Sequence, residues 1–176
     1  MGALSGAGKN AERGKNSMEE NICLRISLPE QTAQLWIKGK KYKTYPVSTS
    51  AKGSGVEAES FKTPWGHFIV AEKFGADAPL GAVFKSRVPT GDIWSGDPAN
   101  PLSNTTEDLI LTRILWLDGI EAHNANTKSR FIYIHGTNHE NQLGTTASHG
   151  CVRVCNTDVI ELFDLLPVGS RVEIAS

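Results

Sequence analysis

The chain of 176 residues has the length of one compact domain, and its formal net charge of -1 provides no overall field that would favour nucleic acid or an acidic membrane surface. Hydrophobic residues make up 39% of the chain and charged residues 21%, which is typical of a globular protein with a buried core. The three cysteines, Cys23, Cys151 and Cys155, are not the even-numbered set of a disulfide framework, and no apolar run approaches the length of a membrane-spanning helix.

The N-terminal segment differs in composition from the rest of the chain. Residues 1–21 are rich in Gly, Asn, Lys and Glu, which predicts a flexible tail followed by a single domain over residues 22–176. The segment has no apolar stretch that would serve as the core of a signal peptide. We therefore expect a cytoplasmic protein, or a protein of the periplasm or cell envelope if an export signal was removed.

The first half of the domain alternates between strands and turns. Apolar residues recur with period two from Ile22 to Leu28, which predicts a half-buried strand. Two strands are predicted around a turn at residues 38–40, a polar loop over 48–60, and a further strand from Phe68. Residues 75–108 carry many Gly, Pro, Asp and Asn, and we expect a long irregular loop on the substrate side.

The second half predicts two buried strands and one helix. The apolar runs 109–117 and 130–134 predict strands, the second of which delivers His135 at its end. Apolar residues at i, i+3, i+4 and i+7 from Val159 predict a helix, with Asn156 or Thr157 as its cap. A final strand over 170–175 completes a mainly β domain with one principal helix near the C-terminus.

The chemistry concentrates in the stretch "IHGTNHENQLGTTASHGCVRV" over residues 134–154. Gly150 leaves room for a substrate to approach the Cys151 sulfur, and the backbone N–H groups around residues 149–151 are candidates to stabilise an oxyanion. A histidine such as His135, held against the cysteine, favours the thiolate that attacks carbonyl groups. The stretch therefore predicts a thiol nucleophile with its base.

Other histidines and cysteines have less specific interpretations. Cys155 precedes an apolar helix and is expected to pack, Cys23 has no predicted role, and His139 is expected to be solvated. A zinc site of His135, His149 and Cys151 is an alternative, although no second cysteine pair closes it. A structural thiol in a non-catalytic binding module is another.

The segments "IHGT" and "SHGCVRVCNTD" resemble the signature of the L,D-transpeptidase catalytic domain, the YkuD-like family. In order, the matching residues are Ser148, His149, Gly150, Cys151, Val152, Arg153 and Asn156. Upstream, "YPVSTSAKGSG" and "TPWGHF" resemble further elements of that family, and the resemblance extends over about residues 22–175. It implies a β-sandwich or open-barrel-like domain of the YkuD type.

The resemblance also implies residue roles. Cys151 corresponds to the nucleophile, His135 to its general base, and the Gly136 carbonyl to the group that orients the imidazole, where many relatives have Ser. His149 corresponds to a second histidine that shapes the pocket. The substrate-binding residues implied are Ser148, Gly150, Arg153 and Thr137, and Arg153 is equally well interpreted as a buried salt-bridge partner.

The activity implied is L,D-transpeptidation of peptidoglycan stem tetrapeptides, through a thioacyl-enzyme and release of D-alanine. A cytoplasmic L,D-carboxypeptidase of muropeptide recycling, with water as acceptor, is the alternative within the family. A non-catalytic peptidoglycan-binding module is the alternative of another class. The expected partners are stem peptides or muropeptides, with carbapenems as inhibitors, and no metal, cofactor, nucleic acid or membrane is expected.

Overall fold

The computed structural model describes residues 21–176, and the predicted tail therefore lies outside the described residues except for Asn21. The Asn21 carbonyl accepts a hydrogen bond from the Lys38 N–H at 2.7 Å. Within the described residues the strands are β1 (Ile22–Ser27), β2 (Thr32–Ile37), β3 (Lys40–Ser48), β4 (Gly66–Phe74), β5 (Ala82–Lys85), β6 (Val88–Ile93), β7 (Ile110–Gly119), β8 (Tyr133–Gly136), β9 (Val152–Val154) and β10 (Arg171–Ala175). The α-helix α1 spans Asn156–Leu165, and short 3-10 turns span Pro101–Asn104, Ala122–Asn124 and Glu140–Gln142.

The strands form one sheet in the order β4-β10-β1-β2-β3-β9-β8-β7-β5-β6, and an additional pairing of β4 with β7 closes it into a barrel. The pair β5–β6 extends the sheet beyond β7. The mainly β class and the single principal helix near the C-terminus are thus confirmed, with a closed rather than an open barrel. Closure removes the free edges that β4 and β7 would otherwise present.

A continuous hydrophobic core joins the strands to the helix. The helix residues at the predicted spacing, Val159, Leu162, Phe163 and Leu166, are all buried and belong to the same cluster as strand residues such as Ile134. The helix packs on β7 and β8. The helix therefore packs against the core side of β8, the strand that carries His135.

The predicted helix cap is wrong. Asn156 is the first residue of α1, and Cys155 occupies the cap position without a side-chain hydrogen bond to the helix. The Glu140 carboxylate instead accepts a hydrogen bond from the Asn156 N–H at 3.0 Å. A residue from another loop supplies the cap, which local sequence rules do not anticipate.

The segment 75–108 is also more regular than predicted. Its apolar run pairs with the edge of β7, since Val83 lies opposite Leu111 and Phe84 opposite Ile110. The β5–β6 hairpin turns at Ser86 and Arg87, both with positive φ. Such a turn normally uses Asn or Gly, so the sequence lacked the usual hairpin signal.

Candidate active site

Strands β8 and β9 lie side by side in parallel and present two different faces. Ile134 pairs with Val152, and both residues are fully buried in the main core. Side chains alternate between faces along a strand, so the residues on either side of these two point away from that core. That second face carries Tyr133, His135, Cys151 and Arg153.

The register places the candidate nucleophile and base on diagonal positions of this face. His135 pairs with Arg153, and Cys151 therefore lies level with Tyr133. The Tyr133 N–H donates a hydrogen bond to the Cys151 sulfur at 3.3 Å. Diagonal neighbours on one sheet face are about 7–8 Å apart at the backbone, within reach of long side chains. The structure thus brings the two predicted catalytic residues onto one small surface.

Cys151 is partly exposed, and the surroundings of its sulfur favour the protonated thiol. Its Sγ donates a hydrogen bond to the Phe131 carbonyl at 3.3 Å. Burial of the sulfur raises its pKa to about 12, and the hydrogen bond from the Tyr133 N–H opposes that rise. Burial thus opposes the thiolate form that contact with a histidine is expected to favour. A base must remove the proton during reaction.

His135 has the features of such a base. It is 1% exposed, and its Nδ1 lies 2.6 Å from the Gly136 carbonyl oxygen. A carbonyl only accepts hydrogen bonds, so Nδ1 carries the proton and Nε2 is left with the basic lone pair. Burial lowers the pKa of the imidazole, which keeps it neutral and able to accept a proton.

Within residues 21–176, no hydrogen bond joins the His135 ring to the Cys151 sulfur. The Cys151 thiol donates its hydrogen bond to the Phe131 carbonyl, and the Gly136 carbonyl orients the His135 imidazole. Proton transfer therefore requires the sulfur to turn away from that carbonyl and toward Nε2.

Gly136 is required by the space around it. A Cβ atom at this position would lie 2.2 Å from Asn156 Oδ1 and 2.7 Å from the Leu111 carbonyl oxygen. No real Cβ tolerates such contacts. The family's frequent Ser therefore does not fit here, and the orienting group is the backbone carbonyl.

Asn156 is a buried hub that the sequence analysis assigned only as a motif match and a helix cap. Its Nδ2 donates to the Thr137 carbonyl and to Glu140 Oε1, both at 2.8 Å. Its Oδ1 accepts from Thr112 Oγ1 at 2.6 Å. These bonds fix the end of β8 where His135 and Gly136 lie.

The turn before Cys151 is held by its own side chains and by a neighbouring loop. Ser148 Oγ donates to the Cys151 carbonyl at 2.6 Å and accepts from the Gly150 N–H at 3.2 Å. Gly150 has φ 125°, a left-handed conformation that favours glycine. Its carbonyl accepts from Thr63 Oγ1 at 3.0 Å. Since the Gly150 N–H is already used, it is not a free donor for an oxyanion.

Ser148 and Thr137 are more buried than expected for residues that bind a substrate. Ser148 is 1% exposed and Thr137 is fully buried. The Thr137 hydroxyl accepts a hydrogen bond from the His139 N–H at 3.0 Å. Both hydroxyls therefore shape loops around the site, and direct contact of either residue with a substrate stays a prediction.

Arg153 is held by protein groups. The side chain is 3% exposed, and its Nη2 lies 2.8 Å from Asp108 Oδ2. Its Nη1 donates to Gln142 Oε1 at 2.9 Å. The salt-bridge interpretation of Arg153 therefore describes this structure. Asp108 and Gln142 are not predictable as partners of Arg153, because nothing in their local sequence distinguishes them.

His149 lies at the mouth of a groove beside Cys151. Its side chain is 73% exposed, and its ring meets the Phe61 ring edge-on at 6.5 Å between centroids. The groove has a volume of about 410 Å³ and is lined by Ala58, Glu59, Phe61, Asn126, Ser129, Arg130, Phe131, Ile132 and His149. Since the Phe131 carbonyl binds the thiol, the groove leads to the candidate nucleophile.

The aromatic walls of this groove have unusual backbone conformations. Phe61 has φ 58° and Phe131 has φ 56°, and both side chains are about half exposed. Bulky residues rarely adopt such left-handed conformations, which concentrate at functional sites. Arg130 joins the two walls, since its Nη2 donates to the Lys62 carbonyl at 2.7 Å.

The remaining candidates lie away from this arrangement. Cys155 donates from its sulfur to Glu140 Oε1 at 3.2 Å, and His67 contacts Glu121 at 3.1 Å. His139 is half-buried, and its Nε2 lies 3.1 Å from the Glu107 carbonyl. These contacts explain each side chain through local structure.

The zinc alternative requires His135, His149 and Cys151 to converge. Among residues 21–176, no three His, Cys, Asp or Glu side chains are grouped so that they would hold a metal ion. The described part of the chain also contains no helix of the length and apolar character needed to span a membrane.

Comparison with known proteins agrees with the resemblance seen in the sequence. The model of the YkuD family, the L,D-transpeptidase catalytic domain, matches residues 23–174. The chain is 36% identical over 110 residues to YqjB of Bacillus subtilis (strain 168), whose name assigns it to the L,D-transpeptidases, with coverage of 62% of this chain and 50% of YqjB.

Solved structures show the same fold. The L,D-transpeptidase LdtMt1 in complex with imipenem has a TM-score of 0.54 at 19% identity, over 88% of this chain and 59% of that chain. L,D-transpeptidase 3 from Mycobacterium tuberculosis, in complex with a faropenem-derived adduct, has a TM-score of 0.56 at 17% identity, over 89% of this chain and 60% of that chain. The chain thus spans between half and three fifths of the length of these relatives. It belongs to the L,D-transpeptidase catalytic domain family.

Proposed function

We propose that this chain is a cysteine acyl-transferase that acts as an L,D-transpeptidase on peptidoglycan stem tetrapeptides, with Cys151 as nucleophile and His135 as general base. The observation that carries the proposal is the shared face of β8 and β9, where the two residues lie on diagonal positions and the Cys151 sulfur contacts the carbonyl of Phe131, which lines an open groove. Family membership supports the reaction class, and this geometry supports the choice of residues.

Acylation begins with transfer of the Cys151 proton to His135 Nε2. The sulfur then bonds to the carbonyl carbon of the donor peptide bond, and the imidazolium keeps its Nδ1 proton on the Gly136 carbonyl. When the tetrahedral intermediate collapses, the carbon–nitrogen bond breaks and the imidazolium protonates the departing D-alanine amine. The products are a thioester on Cys151, free D-alanine and a neutral His135.

Deacylation reverses these roles. An amine from a second stem peptide attacks the thioester carbonyl and gives up a proton to His135. The carbon–sulfur bond breaks, and the sulfur recovers that proton as a thiol. Water in place of the amine gives a tripeptide, which is the L,D-carboxypeptidase outcome. The neutral resting states of both residues suit this cycle, because no free thiolate is exposed between turnovers.

The N–H groups of His149 and Cys151 remain as candidate donors for the oxyanion within the turn, since the Gly150 N–H already binds Ser148. The groove between Phe61 and Phe131 is the candidate path for the donor peptide. Occupation of this groove next to the Phe131 carbonyl would displace the bond from the thiol and free the sulfur to turn toward His135. Because LdtMt1 was solved with imipenem, we also expect carbapenems to acylate Cys151.

The test uses purified chain incubated with a disaccharide tetrapeptide, with and without an acceptor stem, and mass spectrometry of the products. A cross-linked dimer that depends on the acceptor supports transpeptidation. Tripeptide in both reactions would assign the carboxypeptidase activity instead. If D-alanine is released in neither reaction, and imipenem adds no mass at Cys151, the enzymatic proposal is wrong and the chain acts as a binding module.

A further inference from the structure

We propose that Asp108 is a positioning residue for this site, which holds Arg153 and His149 around Cys151 and sets the electrostatic balance between the thiol and the imidazole. The proposal rests on the proposed function of Cys151 and His135. Asp108 lies in the loop before β7, and no sequence motif pointed to it.

The Asp108 carboxylate bridges two residues from the other side of the site. Its Oδ2 lies 2.8 Å from Arg153 Nη2 and 3.8 Å from His149 Nδ1. Arg153 is the register partner of His135 on β9. His149 precedes Cys151 by two residues and lines the groove. The Asp108 carboxylate thus contacts β9 through Arg153 and the loop before Cys151 through His149.

The geometry of this ion pair does not favour a purely structural role. Within the described residues, Asp108 Oδ1 and Arg153 Nε are buried without a hydrogen-bond partner. A bidentate pair would satisfy both atoms, and a buried pair with unsatisfied atoms contributes little to stability. The position of the charges relative to Cys151 and His135 provides a better reason for the pair.

The charged groups that face Cys151 come from three segments, with Asp108 before β7, Arg130 before β8 and Arg153 on β9. The two arginines favour a thiolate, whereas Asp108 opposes it and raises the pKa of Cys151. His135 faces Asp108, Arg153 and the Gly136 carbonyl, and Asp108 favours the imidazolium form. His149 and Tyr133 are the other titratable neighbours.

These opposite effects define what Asp108 would do during turnover. Before substrate binds, its negative charge adds to burial, the larger cause of the raised pKa of Cys151, and so makes the sulfur less open to alkylation or oxidation. Once the sulfur has bonded to the carbonyl carbon it carries no charge, and in this tetrahedral intermediate the same carboxylate stabilises the imidazolium that must protonate the leaving amine. Asp108 thus restrains the free thiol and assists the acid step.

The experiment compares Asp108→Asn with the wild-type chain by two readouts. Iodoacetamide alkylation of Cys151 is measured by peptide mass spectrometry as a function of pH, and product formation is measured with the tetrapeptide. In Asp108→Asn, we expect alkylation at about pH 8 to rise by about threefold to tenfold while turnover falls. Asp108→Glu keeps the charge and should restore both toward wild type.

Two further variants separate charge from folding. Asp92→Asn removes an exposed carboxylate on β6 and should leave both readouts unchanged. Asp108→Asn combined with Arg153→Gln removes both charges of the pair, so it leaves no buried charge unpaired and should return the alkylation rate close to wild type. Thermal melting confirms that each variant is folded.

The proposal is overturned if alkylation and turnover move in the same direction in folded Asp108→Asn, or if neither changes. If Asp108→Asn does not fold, the double variant decides: an alkylation rate far from wild type overturns the proposal. Failure of the proposed function is a separate result, because alkylation of Cys151 is measured without any muropeptide substrate.

Discussion

The two faces of the β8–β9 pair show how one pair of strands serves both stability and chemistry. Toward the core, Ile134 and Val152 are fully buried among aliphatic neighbours. On the opposite face, His135 contacts the Gly136 carbonyl, and Cys151 packs beside a small apolar cluster while its sulfur contacts the carbonyl of Phe131, a residue of the groove wall. The backbone alternation that separates these faces implies that stability and activity can be changed independently.

The largest expected effect is the loss of turnover on substitution of Cys151, on the face of β8 and β9 that points away from the main core. Cys151→Ala should lower turnover on the order of 10³-fold or more, because it removes the nucleophile, while the fold persists. Cys155→Ala is the matched control, since Cys155 lies just after β9 at the cap position of α1 and contacts Glu140. Turnover is followed by D-alanine release. Equal losses in the two variants would contradict the assignment of Cys151.

A substitution on the core face should produce the opposite result. Ile134→Ala removes a fully buried side chain and should lower the free energy of unfolding by about 2–5 kcal/mol. Urea unfolding measures this loss, and alkylation of Cys151 in the folded fraction should stay near wild type. Ile120→Ala removes the same atoms from a residue that is 43% exposed and should cost about 1 kcal/mol or less. Similar losses for both would show that the core face of β8 does not stabilise the fold.

The smallest expected effect is on the pH dependence of stability. Burial raises the pKa of Cys151 from its ordinary value of 9.0 to about 12, so the folded chain keeps a proton that the unfolded chain releases in this window. The contribution to stability is complete below pH 9.0 and is lost as the pH rises toward 12.

We measure urea unfolding of the wild type and of Cys151→Ala at about pH 8 and at about pH 10.5. The difference between the two proteins isolates the contribution of the Cys151 thiol to stability, because they share all other titrating groups. Stability should decline more steeply with pH in the wild type. Parallel declines in the two proteins would mean that the thiol titrates alike in the folded and unfolded states.

The sequence was informative where chemistry follows from local pattern. Period-two alternation predicted β1, turn signals and apolar runs predicted further strands, helical spacing predicted α1, and the Ser-His-Gly-Cys segment indicated the family and its candidate nucleophile. His135 followed from its place at the end of an apolar run, and the structure places it inside β8.

The rest depends on contacts between distant segments. Asp108 meets Arg153 only because β7 and β9 both flank β8, and Phe131 supplies a carbonyl from a turn that was predicted as strand. The role of Asn156 likewise appears only once Thr112 and Glu140 are brought to it. Residue type and spacing hold no information on such partners.

The close fit between Gly136 and the Asn156 amide also limits how this site can evolve. Any larger residue at 136 collides with the amide, and any change at 156 releases the Thr137 carbonyl that the amide now binds. The constraint on position 136 extends beyond Asn156, since a larger residue there would also collide with the Leu111 carbonyl. A mutant library that varies either position will therefore be depleted of active clones.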